Sequence, residues 1–341
     1  MKGKFLLLVL CIAATTVNAQ VFKEYFTNAP TGGDLESYGN WYVSAKSSEA
    51  YGVSPKISEE VLFYTGYAGS NFGKSALLDS LVGKESSTQR ISTKVVIIDN
   101  DTLRPVVGKK MYAAFMVRIL PNSYTSFRDF FTWEGSTSSS FTRGRVFAKV
   151  SNANADLQFA VSKNSASSGV YVESEVMPGG VNVNHLLVLV YEAVDGDAND
   201  IITLYINPDP TKSEAEQTVV LKATDTQSDY SSGTEIKINL RQRGVGAYVG
   251  GIRVGTSWDL VLKGGATKVT DIAKRNSTIS SYGKTIVTNG IGDVDVYDIT
   301  GKKILSAVSD GRLQTSLKSG LYIVRFKDTK NNIVSGKVSI Q

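Results

Sequence analysis

Glu173 and Glu175, in the stretch VYVESEV, stand two residues apart. In a strand that spacing puts both carboxyls on one face, and carboxyls about 5 Å apart are what retaining glycoside hydrolysis requires. Met177-Pro178-Gly179-Gly180 follows directly and cuts the strand short, and a solvated strand face accounts for two glutamates equally well. Trp133 sits in FFTWEGSTSSSFTRGR, with Arg143 and Arg145 just downstream. An aromatic ring beside charged groups at the rim of a β-fold can hold a sugar ring by stacking, although tryptophan in an apolar strand is commonly core. Asp195, Asp197, Asn199 and Asp200 supply oxygen ligands at close spacing. Calcium is the cation such a set would suit, yet Asp, Asn and Gly are also what a hairpin turn demands, with Gly196 and Asn199 as the positions that accept positive φ. His185 is the sole histidine. A two-histidine metal site is therefore excluded, and without a G-x-S-x-G elbow the residue reads as a strand-start histidine with no catalytic role. No glycine loop leads from a strand into a helix, so nucleotide use is not expected and no cofactor is expected beyond that calcium alternative.

The elements that must carry these groups are short runs of β-branched and aromatic residues separated by Gly, Asn, Asp and Ser. KMYAAFMVRIL at 110–120, RGRVFAKV at 143–150, HLLVLVYEAV at 185–194 and AYVGGIRVG at 247–255 are examples. Many such strands at close spacing predict an all-β jelly-roll sandwich. LLVLVYEA is continuously apolar and reads as a mid-sheet strand; KINLRQRG alternates and is expected to show one face to water. Helical turns are expected at 75–82 and 257–262.

The chain opens MKGKFLLLVLCIAATTVNAQ, which reads as a secretory signal peptide cleaved between Ala19 and Gln20. Cys11 is the only cysteine, so the mature chain can form no disulfide and hold no thiolate zinc. The net charge of +5 is uneven: residues 265–341 hold 12 Lys/Arg against 6 Asp/Glu, and residues 20–264 carry −3. A mildly acidic body argues against nucleic acid as partner, and no segment of the mature chain is apolar enough to cross a membrane as a helix. The polar stretch KGGATKVTDIAKRNST marks a boundary. The expected organisation is a signal peptide at 1–19, a jelly-roll domain at 20–262, a linker at 263–276 and a small antiparallel sandwich of two sheets at 277–341.

The words VDVYDITGKKI at 294–304, LKSGLYIVRF at 317–326 and GKVSI at 336–340 resemble the C-terminal sorting domain of type IX secretion cargo in Bacteroidota. The positions that carry the likeness are Tyr297, Asp298, Gly301, Gly320, Leu321 and Tyr322. The resemblance implies an immunoglobulin-like sandwich, the outer-membrane secretion machinery as a partner, and delivery to the cell surface or medium by way of the periplasm. Within the tail, Gly301 is expected to close a hairpin and Gly320 to turn the chain into the next strand, with Leu321, Ile323 and Val324 inward and Arg325 and Lys327 outward. LVLVYEAVDGDANDIITLYINP at 187–208 and YVGGIRVGTSWDLVL at 248–262 resemble the laminin-G/concanavalin-like superfamily, which supports the fold more than any activity. The acidic pattern of the laminarinase-type glucanases, E-x-D-x-x-E, is absent around Glu173 and Glu175.

The function expected from these residues is non-catalytic: a secreted or surface-attached binding or adhesion module for glycans or other surface polymers. A glycoside hydrolase or polysaccharide lyase on the same fold is the alternative. A structural component of the cell envelope is the third reading.

Overall fold

The computed structural model describes residues 21–43, 53–80, 90–98, 100–121, 123, 125–135, 142–151, 155–164, 170–264, 279–282, 284–329 and 333–340. The expected cleavage site at Ala19 and Gln20, and most of the expected linker, lie outside the described residues. The chain divides into two compact units, Met1–Gly265 and Ala266–Gln341, here the body and the tail.

The body strands are β1 (Phe22–Glu24), β2 (Tyr42–Val43), β3 (Lys56–Ser58), β4 (Ser75–Leu78), β5 (Arg90–Val95), β6 (Ile97–Ile98), β7 (Asp101–Thr102), β8 (Lys110–Ile119), β9 (Arg128–Glu134), β10 (Thr142–Ser151), β11 (Asp156–Ser162), β12 (Val172–Glu173), β13 (Asn184–Glu192), β14 (Ile201–Ile206), β15 (Val220–Lys222), β16 (Lys237–Gln242) and β17 (Ala247–Gly255). They form two large antiparallel sheets. The first runs β15-β14-β13-β8-β17-β4-β3, with β1 also on β17, and the second runs β12-β11-β10-β9-β16-β5-β2. The sheets face each other across one apolar core, in which Phe115, Leu187, Leu189 and Val254 of the first meet Phe131, Trp133, Phe159 and Leu240 of the second. This is the all-β jelly-roll sandwich expected. Each such side chain, fully buried, contributes roughly 1.5–3 kcal/mol.

The continuous apolar run of β13 has a physical reason. Leu187, Leu189 and Tyr191 face the core, whereas Leu186, Val188 and Val190 join Leu62, Tyr67, Tyr112, Trp258 and Leu262 in a second cluster on the sheet's outer side. Both faces of the first sheet are thus sealed, the outer one by the 62–67 segment and the helix α1 (Trp258–Leu262). Ser257 caps that helix by accepting from Leu260 N. Trp258 packs edge-on against Tyr112 and Tyr205. At Gly251 the φ of +59° and the closeness of Gly69 O, 2.5 Å from where a Cβ would stand, leave room only for glycine. The expected helical turn at 75–82 is instead strand β4 in its described part. It pairs with β17 on one side and β3 on the other, and that pairing overrides local preference.

The tail holds β18 (Ser280–Tyr282), β19 (Thr285–Tyr297), β20 (Lys303–Gln314), β21 (Gly320–Asp328) and β22 (Ile333–Ile340). The two sheets expected are joined into one of five strands, because β19 is 13 residues long and pairs β18 along its first part and β21 along its second, on either side of a register break between Val287 and Ile291. Gly301, at φ +88°, lets its N–H reach Asp298 O in the turn between β19 and β20, while the Asp298 carboxylate accepts from Thr300 N and Lys302 N. Gly320 makes no turn; it is the first residue of β21 and pairs with Ile340. The phase of β21 is as expected at Val324, which is buried, and at Arg325, which is exposed, but reversed at Leu321 and Ile323. Tyr322, Val324 and Phe326 pack with Ile286, Val294, Val296, Val338 and Ile340, leaving Leu321 and Ile323 exposed beside Arg325.

Candidate functional site

Of the four faces in the sandwich, two make the core and a third is sealed by apolar residues. The fourth, the outer face of the second sheet, is polar. Cross-strand register places Thr93 of β5 opposite Asn239 of β16, Asn239 opposite Thr132 of β9, and Thr132 opposite Arg145 of β10. The four form one line across four neighbouring strands, about 14 Å long at the ordinary strand spacing. These side chains are buried, at 1%, 0%, 0% and 9% exposure for Thr93, Asn239, Thr132 and Arg145. The expectation that β16 shows its second face to water is therefore corrected: Asn239 and Arg241 are as buried as the core residues Ile238 and Leu240. Each member of the line also keeps an unpartnered polar atom, namely Thr93 Oγ1, Asn239 Oδ1, Thr132 Oγ1 and Arg145 Nε. Asn239 uses its amide N–H on Glu134 Oε2.

Charge is concentrated on one side of this line. Arg145 Nη2 donates to Asp129 Oδ2 at 2.8 Å, Arg241 Nε lies 2.7 Å from the same oxygen, and Arg243 Nη1 lies 3.5 Å from Oδ1. Burial alone would raise the Asp129 carboxyl, but the guanidiniums of Arg241, Arg145 and Arg243 outweigh it and hold the group well below the usual carboxylate range. Aromatic rings flank both ends. Tyr171 packs against Phe127 and Phe147 at centroid distances of 4.9 and 5.3 Å, with Lys149 Nζ 4.4 Å above Phe127. At the other end Lys237 Nζ lies 5.8 Å from the half-exposed ring of Tyr42. A face of paired charges, unpartnered hydrogen-bonding atoms and rings suits a ligand with many hydroxyls and flat apolar patches.

The candidate residues read from sequence scatter over this architecture. Trp133 is wholly buried in the core, so it presents no ring to a ligand, and Arg143, its cross-strand partner, points to Ser228 and lies 5.8 Å from the Tyr230 ring. Arg145 alone of that trio reaches the polar face, on the far side of a register shift that breaks the β9–β10 pairing between it and Arg143. Glu173 ends β12 at the sheet edge, pairs with Lys149 at 3.3 Å and is exposed; Glu175 is exposed beyond the strand. Replacing both by Gln is expected to change stability by no more than about 1 kcal/mol in urea unfolding. A larger loss would show that the pair is more than a solvated edge.

Asp195, Asp197, Asn199 and Asp200 lie in the turn between β13 and β14. There positive φ falls on Gly196 and Ala198, not Asn199, whose side chain instead donates to Asp195 O. Asp200 turns inward, accepting from Val194 N at 2.7 Å and from the Tyr191 hydroxyl. Among the described residues no group of three or more His, Cys, Asp or Glu is placed to hold a metal ion. His185 is buried, with Nε2 2.8 Å from Gly180 O and Nδ1 3.0 Å from Asn207 Nδ2, and burial lowers its proton affinity. A clasp that the sequence does not reveal lies close by. Lys163, almost wholly buried, pairs with Asp229, which also accepts from Asn199 N and Asp200 N at 3.0 Å each, and Asp225 accepts from Lys163 N and Asn164 N.

No family model matches the chain, and no curated protein matches it. Solved structures of similar shape include endo-1,3-beta-glucanase from Streptomyces sioyaensis, 9% identical over 69% of this chain and 95% of the other with a TM-score of 0.38. The alginate lyase from Klebsiella pneumoniae is 10% identical over 70% and 100% with a TM-score of 0.38. The carbohydrate recognition domain of Emp47p is 7% identical over 70% and 97% with a TM-score of 0.38. The fold assignment rests on the strand pairing itself. No helix in the described residues is long and apolar enough to cross a membrane.

Proposed function

We propose that the body is a non-catalytic binding module that holds an extended glycan or similar surface polymer along the outer face of its second sheet. The observation that carries this reading is the line Thr93, Asn239, Thr132 and Arg145, with four buried polar atoms that have no partner among the described residues. Each such atom costs roughly 1–3 kcal/mol while it has no partner; all four lie beneath the surface of the face, so a polymer reaches them only as the side chains over the line move aside, and completing them is what binding would gain. Hydrolysis has less support. A general acid needs a carboxyl that keeps its proton near neutrality. Asp129, beside the line, is held well below the usual carboxylate range, and Asp200, pushed up by burial, lies in the β13–β14 turn and not on this face.

The same proposal assigns the tail to export: the three words ending in GKVSI act as an address for an outer-membrane secretion machine, which leaves the body secreted or on the cell surface. In a host with type IX secretion, removing residues 320–341 is expected to leave the protein in the periplasm. Equal surface delivery of the shortened and full chains would contradict it.

Thr132→Val tests the binding reading. The variant removes a buried hydroxyl with no partner, so stability is expected to hold or rise by up to about 1–2 kcal/mol. In gels containing β-glucan, xylan or polyuronate the native chain is expected to be retarded by at least one polymer, and the variant is expected to lose that retardation. Loss of stability with unchanged retardation would assign the line a structural role only.

A further inference from the structure

A second feature lies on the body away from the second sheet's outer face. The segment that seals the first sheet carries a depression of about 490 Å³ lined by Phe63, Tyr64, Thr65, Asn207, Asp209 and Pro210. Phe63 is 56% exposed and shares the lining of this depression with Tyr64 and Pro210, so its ring is part of a concave apolar surface set beside hydrogen-bonding groups. The loop is tightly held. Asn184 Nδ2 donates to Phe63 O, Tyr64 N donates to Ser70 Oγ at 2.7 Å, Asn71 N donates to Leu62 O, and the Tyr67 hydroxyl donates to Gly251 O at 2.6 Å with Ala114 O 3.0 Å away. Phe63 is thus presented by a backbone that needs no ordering on contact, which removes one cost of association.

The lining is divided between flat apolar surface and hydrogen-bonding groups. Phe63, Tyr64 and Pro210 supply the first, and Thr65, Asn207 and Asp209 the second. Asp209 is exposed and accepts from Thr211 N and Thr211 Oγ1 through Oδ1. No cation stands among the six, and the one nearby, Lys212, acts on the Asp209 carboxylate, so the lining itself offers an acidic ligand no cationic partner. We infer that this depression is a second carbohydrate subsite, taking a neutral hexose or pentose unit whose apolar face stacks on Phe63 and whose hydroxyls reach Asp209 and Thr65. The inference is independent of the reading of the second sheet.

The test is isothermal titration of the full chain with cellotetraose, laminaritetraose and xylotetraose, comparing native protein with Phe63→Ala, Asp209→Asn and Thr132→Val. Phe63→Ala removes an exposed ring and leaves the pinned backbone in place, so its unfolding midpoint should match the native one. At least one tetraose is expected to bind the native chain, to lose about tenfold or more in affinity at one site in Phe63→Ala, and to keep that site in Thr132→Val. Asp209→Asn retains the turn acceptor and should weaken the same site to a smaller extent. Titrations unchanged by Phe63→Ala, or binding removed only by Thr132→Val, would overturn the subsite and leave the reading of the second sheet standing. A native chain that binds none of the three tetraoses would overturn the subsite outright.

Discussion

Replacing Asp229 by Ala is expected to cost the body about 3–5 kcal/mol, the largest single loss anticipated anywhere in the chain. The substitution removes the carboxylate paired with the ammonium of Lys163, whose side chain is 1% exposed, and leaves Asp200 as a charge that acts on it. It also orphans the backbone N–H groups of Asn199 and Asp200, both of which donate to Asp229. The 225–230 segment should loosen as a consequence, because Tyr230 stacks on Tyr191 and donates its N–H to the Tyr191 hydroxyl. Urea unfolding would show the loss as a lower midpoint. Adding Lys163→Met to Asp229→Ala should recover part of it, since the buried charge is then gone while the orphaned amides remain. A single-variant loss below about 1 kcal/mol would mean that water reaches Lys163 freely.

Asp129→Asn is expected to cost about 3 kcal/mol at neutral pH, because this buried carboxylate pairs with Arg145, Arg241 and Arg243 on the polar face. The effect should depend on pH in a defined direction. The folded Asp129 carboxyl is held well below its unfolded value of about 3.9, so its contribution is fully present above that value and is lost as pH falls through the folded one. The gap between native chain and variant should therefore be constant from pH 5 to 8 and narrow progressively below about pH 4. Glu214 works in the same direction: burial would raise it, but its bonds from Lys110, Tyr112 and Tyr205 hold it down. Asp200 has the opposite sign. Its raised folded value favours the protonated carboxyl, so its contribution is present at low pH and lost as pH rises. A gap that widens in acid would contradict the assigned charge balance.

The strands of the body were largely legible because apolar runs bounded by turn residues declare themselves locally. The β13–β14 hairpin and the Gly301 turn followed from the same local chemistry. What the sequence concealed depends on distant partners. Arg241 reads as a solvent-facing residue of an alternating strand, and the carboxylate of Asp129, brought beside it from β9, is what the sequence could not show as its partner. Trp133 and Arg145 lie close together in sequence, yet one is core and the other belongs to the polar face. Strand β21 shows a different limit. Leu321, Tyr322, Ile323, Val324 and Phe326 are all apolar or aromatic, so periodicity of two leaves the phase open, and packing against Val294 and Val296 decides it. Phe63 gave no signal in sequence because exposure of a single ring is set by how the 61–71 loop is tied down.

The central claim is that the outer face of the second sheet binds polymer. The most direct measurement is an NMR titration of the full chain, with threonine methyl groups labelled, against oligosaccharides cut from β-glucan, xylan and polyuronate. Thr93 and Thr132 face the line, and their methyl signals are predicted to shift together with saturation while Thr300 and Thr315 of the tail stay fixed. Saturable binding that moves other threonines and leaves Thr93 and Thr132 in place, or no binding of any of the three, would contradict it.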